Sequence, residues 1–325
     1  MKQKELWKEL YSCVNEWIQL QPWQHVWSQD FVGIEINDTT YYCTIMGKLG
    51  DCIGLSIYEG EQGWSDLQSI SCEYEEVRVT QYVMYDQTCL TFYMGNREEV
   101  PKGQKEMIKA LGFKYRGRGN WPYFLSFQSR FYPYEINDIQ AQIMLDVFKQ
   151  LIPLMKAYMH QEVDVDFEEG QMLYAYYDQK WIYEARDLPL VKDKFPRLEL
   201  TDKEFVRNLS QSSREFIIDL EYLRGGFIDE AYDRPLSGLV FLAMELESQE
   251  IVNAKMLKVE EEQSQECLYL FCTLLEEYGK PTDIYVRNPR VYNALSSLCH
   301  ECGIEIHITP LSMIDFILDD MEAFM

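Results

Sequence analysis

The chain has 325 residues, 47% of them hydrophobic and 14% aromatic, with 54 acidic against 30 basic residues and a net charge of −24. That composition excludes a disordered or collagen-like chain, and no apolar run is long enough to cross a membrane as a helix. The length supports two cores rather than one.

Lys2–Ile18 has helical periodicity, with Leu6, Trp7, Leu10, Tyr11, Val14, Trp17 and Ile18 on one stripe. It lacks the charged start and apolar run of a signal peptide, so a cytoplasmic protein is expected. Pro22 breaks the helix, and Trp23–Trp27 reads as an irregular lid. Phe31–Ile36 and Tyr41–Met46 form a strand pair around Asn37-Asp38, with a third strand at Ile53–Tyr58. Helices are expected over Gly60–Ser71, Tyr74–Tyr85 and Pro101–Leu111, and a strand over Cys89–Met94. Tyr123–Phe127 reads as a strand and Ile136–His160 as a long helix that Pro153 should kink. Val163–Phe167, Gln171–Tyr177 and Lys180–Ala185 read as a small separate meander. Asp187–Thr201, with Pro189 and Pro196, reads as a connector.

The most distinctive local motif is Tyr115-Arg-Gly-Arg-Gly-Asn-Trp-Pro122. Arg116, Arg118 and Trp121 are the residue types that contact anions or nucleic acid, by charge-assisted bonds and by stacking. The competing reading is a tight glycine turn whose arginines pair with the protein's abundant carboxylates. No Gly-Lys-Ser/Thr follows, so this is not a Walker loop.

The back of the chain reads in order as strands Glu215–Tyr222, Leu236–Leu246 and Ile251–Val259, helix Gln263–Tyr278 and strand Asp283–Val286. A helix follows that Asn288-Pro289 opens and Gly303 stops, then a strand with Ile304, Ile306 and Ile308. Ser312 caps a last helix with Ile314, Ile317, Leu318, Met321 and Phe324 inward. This βββαβαβα order resembles the ribonuclease H-like fold of nucleases and transposases. The expected architecture is an α+β two-domain protein: a mixed α/β domain over 1–186, a linker over 187–201, and a ribonuclease H-like domain over 202–325.

The resemblance implies carboxylates at strand ends that hold two divalent cations about a scissile phosphate. Asp219 and Glu221 share one face of the first strand. Glu262 and Glu266 open the next helix, and Asp315, Asp319 and Asp320 lie on the last. Asp219, Glu266 and Asp315 are the catalytic candidates, and Asp219, Glu221 and Asp315 the alternative set for Mg or Mn. Where the fourth acid is expected stand Arg287 and Asn288, and a guanidinium repels a cation. Residues 201–325 carry 10 basic against 24 acidic residues, a balance of −14. Such a domain repels nucleic acid unless its charge is sorted locally.

Nine scattered cysteines in mostly apolar settings suit a reducing compartment. Cys299-His300-Glu301-Cys302, with His307 near, lacks the second ligand pair that a structural zinc site needs. Trp7-x-x-Leu10-Tyr11, Tyr42-Cys-Thr-Ile-Met-Gly47, Gly117-Arg-Gly-Asn-Trp-Pro122 and Ile284-Tyr-Val-Arg-Asn288 resemble an uncharacterised two-domain bacterial family. That resemblance implies two domains and an aspartate where Asn288 stands, but no activity. The functional expectation is therefore a non-catalytic protein that binds another protein. The alternative is a divalent-metal-dependent nuclease or phosphodiesterase, or its degenerate descendant.

Overall fold

A computed structural model describes residues 2–72, 74–190, 192–199 and 208–323 of the chain. The chain divides into two compact units, and the division is not a single cut in sequence. One unit takes residues 1–71, 87–129 and 133–192; the other takes 72–86, 130–132 and 193–325. Residues 72–86 fall inside the span expected for the front domain, yet they group with the second unit. The expected second-domain start at 202 and the inward Phe324 lie outside the described residues.

The first unit is built on an eight-stranded sheet. Its strands are β1 (Val32–Ile36), β2 (Thr39–Met46), β3 (Gly54–Glu59), β4 (Cys89–Gly95), β5 (Trp121–Gln128), β6 (Phe131–Glu135), β7 (Gln171–Asp178) and β8 (Lys180–Asp187). They lie in the order β6-β5-β4-β3-β2-β1-β7-β8. β1 and β7 run parallel, which requires a long crossover between them.

Alternation sorts the two faces of this sheet. Cys43 and Ile45 of β2 point to one core with Ile34, Leu55, Ile57, Phe92 and Phe124. Helices α1 (Lys2–Leu20) and α5 (Asp138–Met159) supply Leu10, Tyr11, Val14, Trp17, Phe148, Leu151 and Met155 to the same core. Tyr42, between Cys43 and its neighbours, points to the other face, where Trp64 and Leu67 of α2 (Gly60–Ser71) cover it. Between β4 and β5 lies α4 (Lys102–Leu111), which ends on Gly112 in the left-handed region at φ 82°.

Several local expectations need correction. Val163–Phe167 is not a strand. The two strands after it, β7 and β8, join the large sheet beside β1 instead of forming a separate meander. Strand β6 carried no clear signal, because Pro133 sits inside it and its residues are at best half-buried. In the stretch Trp23–Trp27, expected as an irregular lid, Trp23 and Val26 are buried core residues, with a short 3₁₀ turn at Pro22–Gln24. α5 continues as helix through Pro153.

The second unit holds a five-stranded sheet of β9 (Phe216–Tyr222), β10 (Leu239–Glu245), β11 (Ile251–Leu257), β12 (Asp283–Val286) and β13 (Glu305–Ile308). Their order is β11-β10-β9-β12-β13. β10 is antiparallel to both neighbours, whereas β9, β12 and β13 run parallel. Counted within the unit this is 3-2-1-4-5, the ribonuclease H-like arrangement. β9 is buried along its whole length, as a central strand covered on both faces must be. The face carrying Ile217 is lined by Val240, Leu242 and Met244 and covered by Ile314 and Leu318. Those two belong to the last helix, α8 (Ser312–Ala323). Helices α6 (Gln263–Tyr278) and α7 (Pro289–Cys302) are the crossovers either side of β12. One further helix of this unit, α3 (Val77–Tyr85), packs against β9.

Candidate functional site

The chemistry of the second unit gathers on the α8 face of β9. Because side chains alternate, Ile217, Asp219 and Glu221 all point to that face. Asp219 and Glu221 are both only 1% exposed. A carboxylate that deep must be paired or protonated.

Asp219 is paired. Arg287, the residue just after β12, donates from Nε to Asp219 Oδ2 at 2.8 Å, and its Nη2 lies 2.7 Å from the same oxygen. The third guanidinium nitrogen, Nη1, donates to Asp315 Oδ1 of α8 at 2.6 Å. The flat fork thus spans the strand acid and the helix acid. Burial works against the charge of Arg287, but Asp219 and Asp315 outweigh it and raise its pKa. A second guanidinium completes the frame. Arg78 of α3 is buried, and reaches Asp319 at 2.5 Å, Glu322 at 2.9 Å and Asp315 at 3.7 Å. Burial opposes its charge too, and Glu322, Glu221 and Asp319 overcome that.

Glu221 has no such partner. Among the described residues its carboxyl accepts from the neighbouring Tyr222 amide at 3.0 Å, with no cation within ion-pair distance. Burial, with Asp219 beside it, pushes its pKa well above the usual glutamate value of 4.5. Burial pushes Asp219 up as well, but Arg287 pulls against that shift. Burial thus raises both acids, and the direct Arg287 contact favours the charged form of Asp219 over that of Glu221.

The unfolded chain releases the Glu221 proton near 4.5, while the folded chain holds it to higher pH. Stability contributed by this group is thus complete below 4.5 and is lost as pH rises toward the folded-state value. Glu221→Gln keeps the amide acceptor and removes the ionisation. Urea denaturation should find the variant equal to wild type at about pH 4 and more stable than it at about pH 8. A variant less stable than wild type at the higher pH would show that Glu221 is ionised in the fold.

The other candidate acids are used locally. Glu262 is the N-cap of α6 and accepts from the Ser264 and Gln265 amides. Glu266 is bound by Lys255 at 2.7 Å, and Lys255 also holds Glu261. Asp319 is held by Arg78, and Asp320 is exposed. Asn288 caps α7 through the Arg290 amide and donates to the Leu220 carbonyl at 2.6 Å, which fastens α7 to β9.

This donor set does not fit a divalent cation. The gap between the strand acid and the helix acid contains a guanidinium, and hard cations need free carboxylate oxygens there. Among the described residues, the one group of three metal-type ligands with atoms within 4.8 Å of one another is Asp283, Glu305 and His307. It lies at the β12–β13 edge, where His307 Nε2 is 2.7 Å from Asp283 Oδ1. Of the Cys299–Cys302 run, both cysteines are buried and His300 is exposed.

A second polar cluster lies at the C-terminal end of β9 in the same unit. Asp86, the C-cap of α3, is 2% exposed. It accepts from Arg290 at 2.6 Å, Gln263 at 2.9 Å and Tyr222 at 3.2 Å, with Lys194 3.6 Å away. Tyr82 donates to Gln263 and accepts from Arg290, both at 2.6 Å. Neither Arg78 nor Asp86 was among the residues singled out from sequence. The available signal was Arg78 four residues before the core Tyr82, on the apolar side of an amphipathic helix.

In the first unit, the motif residues Arg116, Arg118 and Trp121 do come together. With Asn96, Arg97, Glu98, Tyr115 and Gly117 they line one open cleft of about 730 Å3.

The sequence matches the family model of a domain of unknown function (DUF7309) over residues 7–175. A second domain of unknown function (DUF6930) matches over 203–322. No curated protein matches. Among solved structures, the HTLV-2 integrase catalytic core domain in complex with magnesium is 14% identical, covering 35% of this chain and 72% of that one at TM-score 0.26. The catalytic core domain of BIV integrase is also 14% identical, covering 34% and 68% at TM-score 0.26.

Proposed function

We propose that this chain, which belongs to the family of the domain of unknown function DUF7309, acts by binding another protein and not by cleaving phosphodiesters. One observation carries the reading: the Arg287 guanidinium holds Asp219 and Asp315 together across the gap where ribonuclease H-like enzymes need cations. A fixed positive charge there repels a second one and occupies Oδ2 of Asp219 and Oδ1 of Asp315. Burial raises the pKa of Glu221 well above 4.5, which makes it a poor anionic ligand to replace them. The balance of −14 over residues 201–325 supports the same reading, since it disfavours a nucleic-acid substrate. A cytoplasmic bacterial setting goes with it, and all nine cysteines are free thiols, as a reducing compartment keeps them.

The test is hydrolysis of labelled single- and double-stranded oligonucleotides by the whole chain in the presence of Mg²⁺ or Mn²⁺. No cleavage above buffer is expected. Cleavage that both Asp219→Asn and Asp315→Asn abolish would overturn the reading and favour the metal-dependent phosphodiesterase.

A further inference from the structure

Carboxylates outnumber basic side chains in this protein, 54 to 30. Among the described residues, Arg78, Arg186, Arg224, Arg234, Arg287 and Arg290 each lie within ion-pair distance of an acid. Arg97, Arg116 and Arg118 differ from these, and they stand together. All three are exposed and line the same cleft, and none has a carboxylate partner among the described residues, although Glu98 stands on the rim. Leaving three guanidinia together and unneutralised in so acidic a chain is the arrangement an anion site requires.

The loop that presents them is built, not slack. Gly117 and Gly119 take φ of 90° and 69°, the left-handed region that lets the chain turn twice in three residues. Asn120 Nδ2 closes the turn on the Arg116 carbonyl at 3.2 Å. The Gly119 amide donates to Asn96 Oδ1 at 3.2 Å, which ties this loop to the β4–α4 connection that carries Arg97. Tyr115 is anchored through its hydroxyl to Asn15 of α1 at 3.0 Å. The Arg97 guanidinium lies over the Trp121 ring at 5.7 Å, so an aromatic wall backs the charges.

We infer that this cleft binds a small phosphorylated ligand, with Arg97, Arg116 and Arg118 as the groups that hold its phosphates. Guanidinium forks match phosphate oxygens in pairs, and the volume of about 730 Å3 is that of a small-ligand pocket. A long nucleic acid fits less well, because beyond the cleft it would run across a surface with a net charge of −24.

Calorimetry on the full chain at low salt, with inorganic phosphate, pyrophosphate and ATP as probes, tests this. Pyrophosphate or ATP should bind saturably, and Arg116→Ala/Arg118→Ala should weaken that binding by at least about tenfold. Both positions are exposed, so the thermal melt of the double variant should match wild type. Affinity for ATP above pyrophosphate would assign a nucleotide, and equal affinities a phosphorylated group alone. No saturable binding of any probe, unchanged affinity in the double variant, or tighter binding of a single-stranded oligonucleotide than of ATP would overturn the inference.

Discussion

Arg287→Ala should cost the protein about 3 kcal/mol of stability, read as a fall in urea midpoint, because it leaves buried charge without a partner. Asp219 is 1% exposed, and its strong bonds come from this guanidinium. Removing the fork strands that carboxylate beside the buried Glu221, on a sheet face lined by Ile217, Val240, Leu242 and Met244. Asp315 is half-buried and retains Arg78 nearby, which keeps the loss toward the low end of the range for broken buried pairs. Arg287→Lys should not restore the fold fully, since one ammonium cannot reach two acids from opposite sides. The double variant Asp219→Leu/Arg287→Met should recover most of the loss, because apolar residues of similar volume replace a buried pair at little cost. A midpoint for Arg287→Ala within about 0.5 kcal/mol of wild type would mean the pair contributes only what a surface bridge does.

Asp86→Ala should be at least as damaging, at about 3–5 kcal/mol, since it removes the acceptor shared by a whole cluster. Arg290, Gln263 and Tyr222 all direct donors at this one carboxylate. Burial opposes the charge of Arg290, and Tyr82 and Asp86 are what sustain it. Without Asp86 a largely buried guanidinium loses its anionic partner at 2.6 Å. Asp86 also ends α3, so the change should loosen the segment 72–86 from its own unit. Hydrogen exchange would then show faster exchange in Val77–Tyr85 than in β9. Asp86→Asn, which keeps one acceptor oxygen, should lose less than Asp86→Ala, and equal losses would argue that the packing of the side chain matters more than its charge.

The strands of the second unit were legible because their patterns are simple. β9 and β10 are near-continuous apolar runs, and β12 and β13 are bounded by Gly279, Pro281 and Gly303. Asp219 and Glu221 stood out for the opposite reason, as acids within such a run. What sequence could not show is which cation neutralises Asp219. Arg287 is 68 residues away, and its second acid, Asp315, lies on a different element. Local periodicity carries no information about such distant pairings. Arg287 was read as a group that would repel a metal, and its own bonding to both acids emerged only from the strand order.

The same limit hid the role of α3. Its residues lie more than 100 positions before β9, in the midst of the first unit's strands, and nothing in its own composition assigns it to the second unit. In the first unit, the Arg-Gly-Arg-Gly loop was legible as a turn from its glycines. Its pairing state was not, because an arginine in an acid-rich chain gives no hint of which carboxylates lie within reach. Strand β6 was lost to Pro133, which cannot donate to a ladder.

Thermal melts of wild type and Arg287→Ala, each with and without Mn²⁺, put the central claim to the most direct test. Mn²⁺ should leave the wild-type midpoint unchanged and raise that of Arg287→Ala, because only the variant leaves the gap between Asp219 and Asp315 without the guanidinium that bridges them. A rise in the wild-type midpoint that Asp219→Asn abolishes would contradict it.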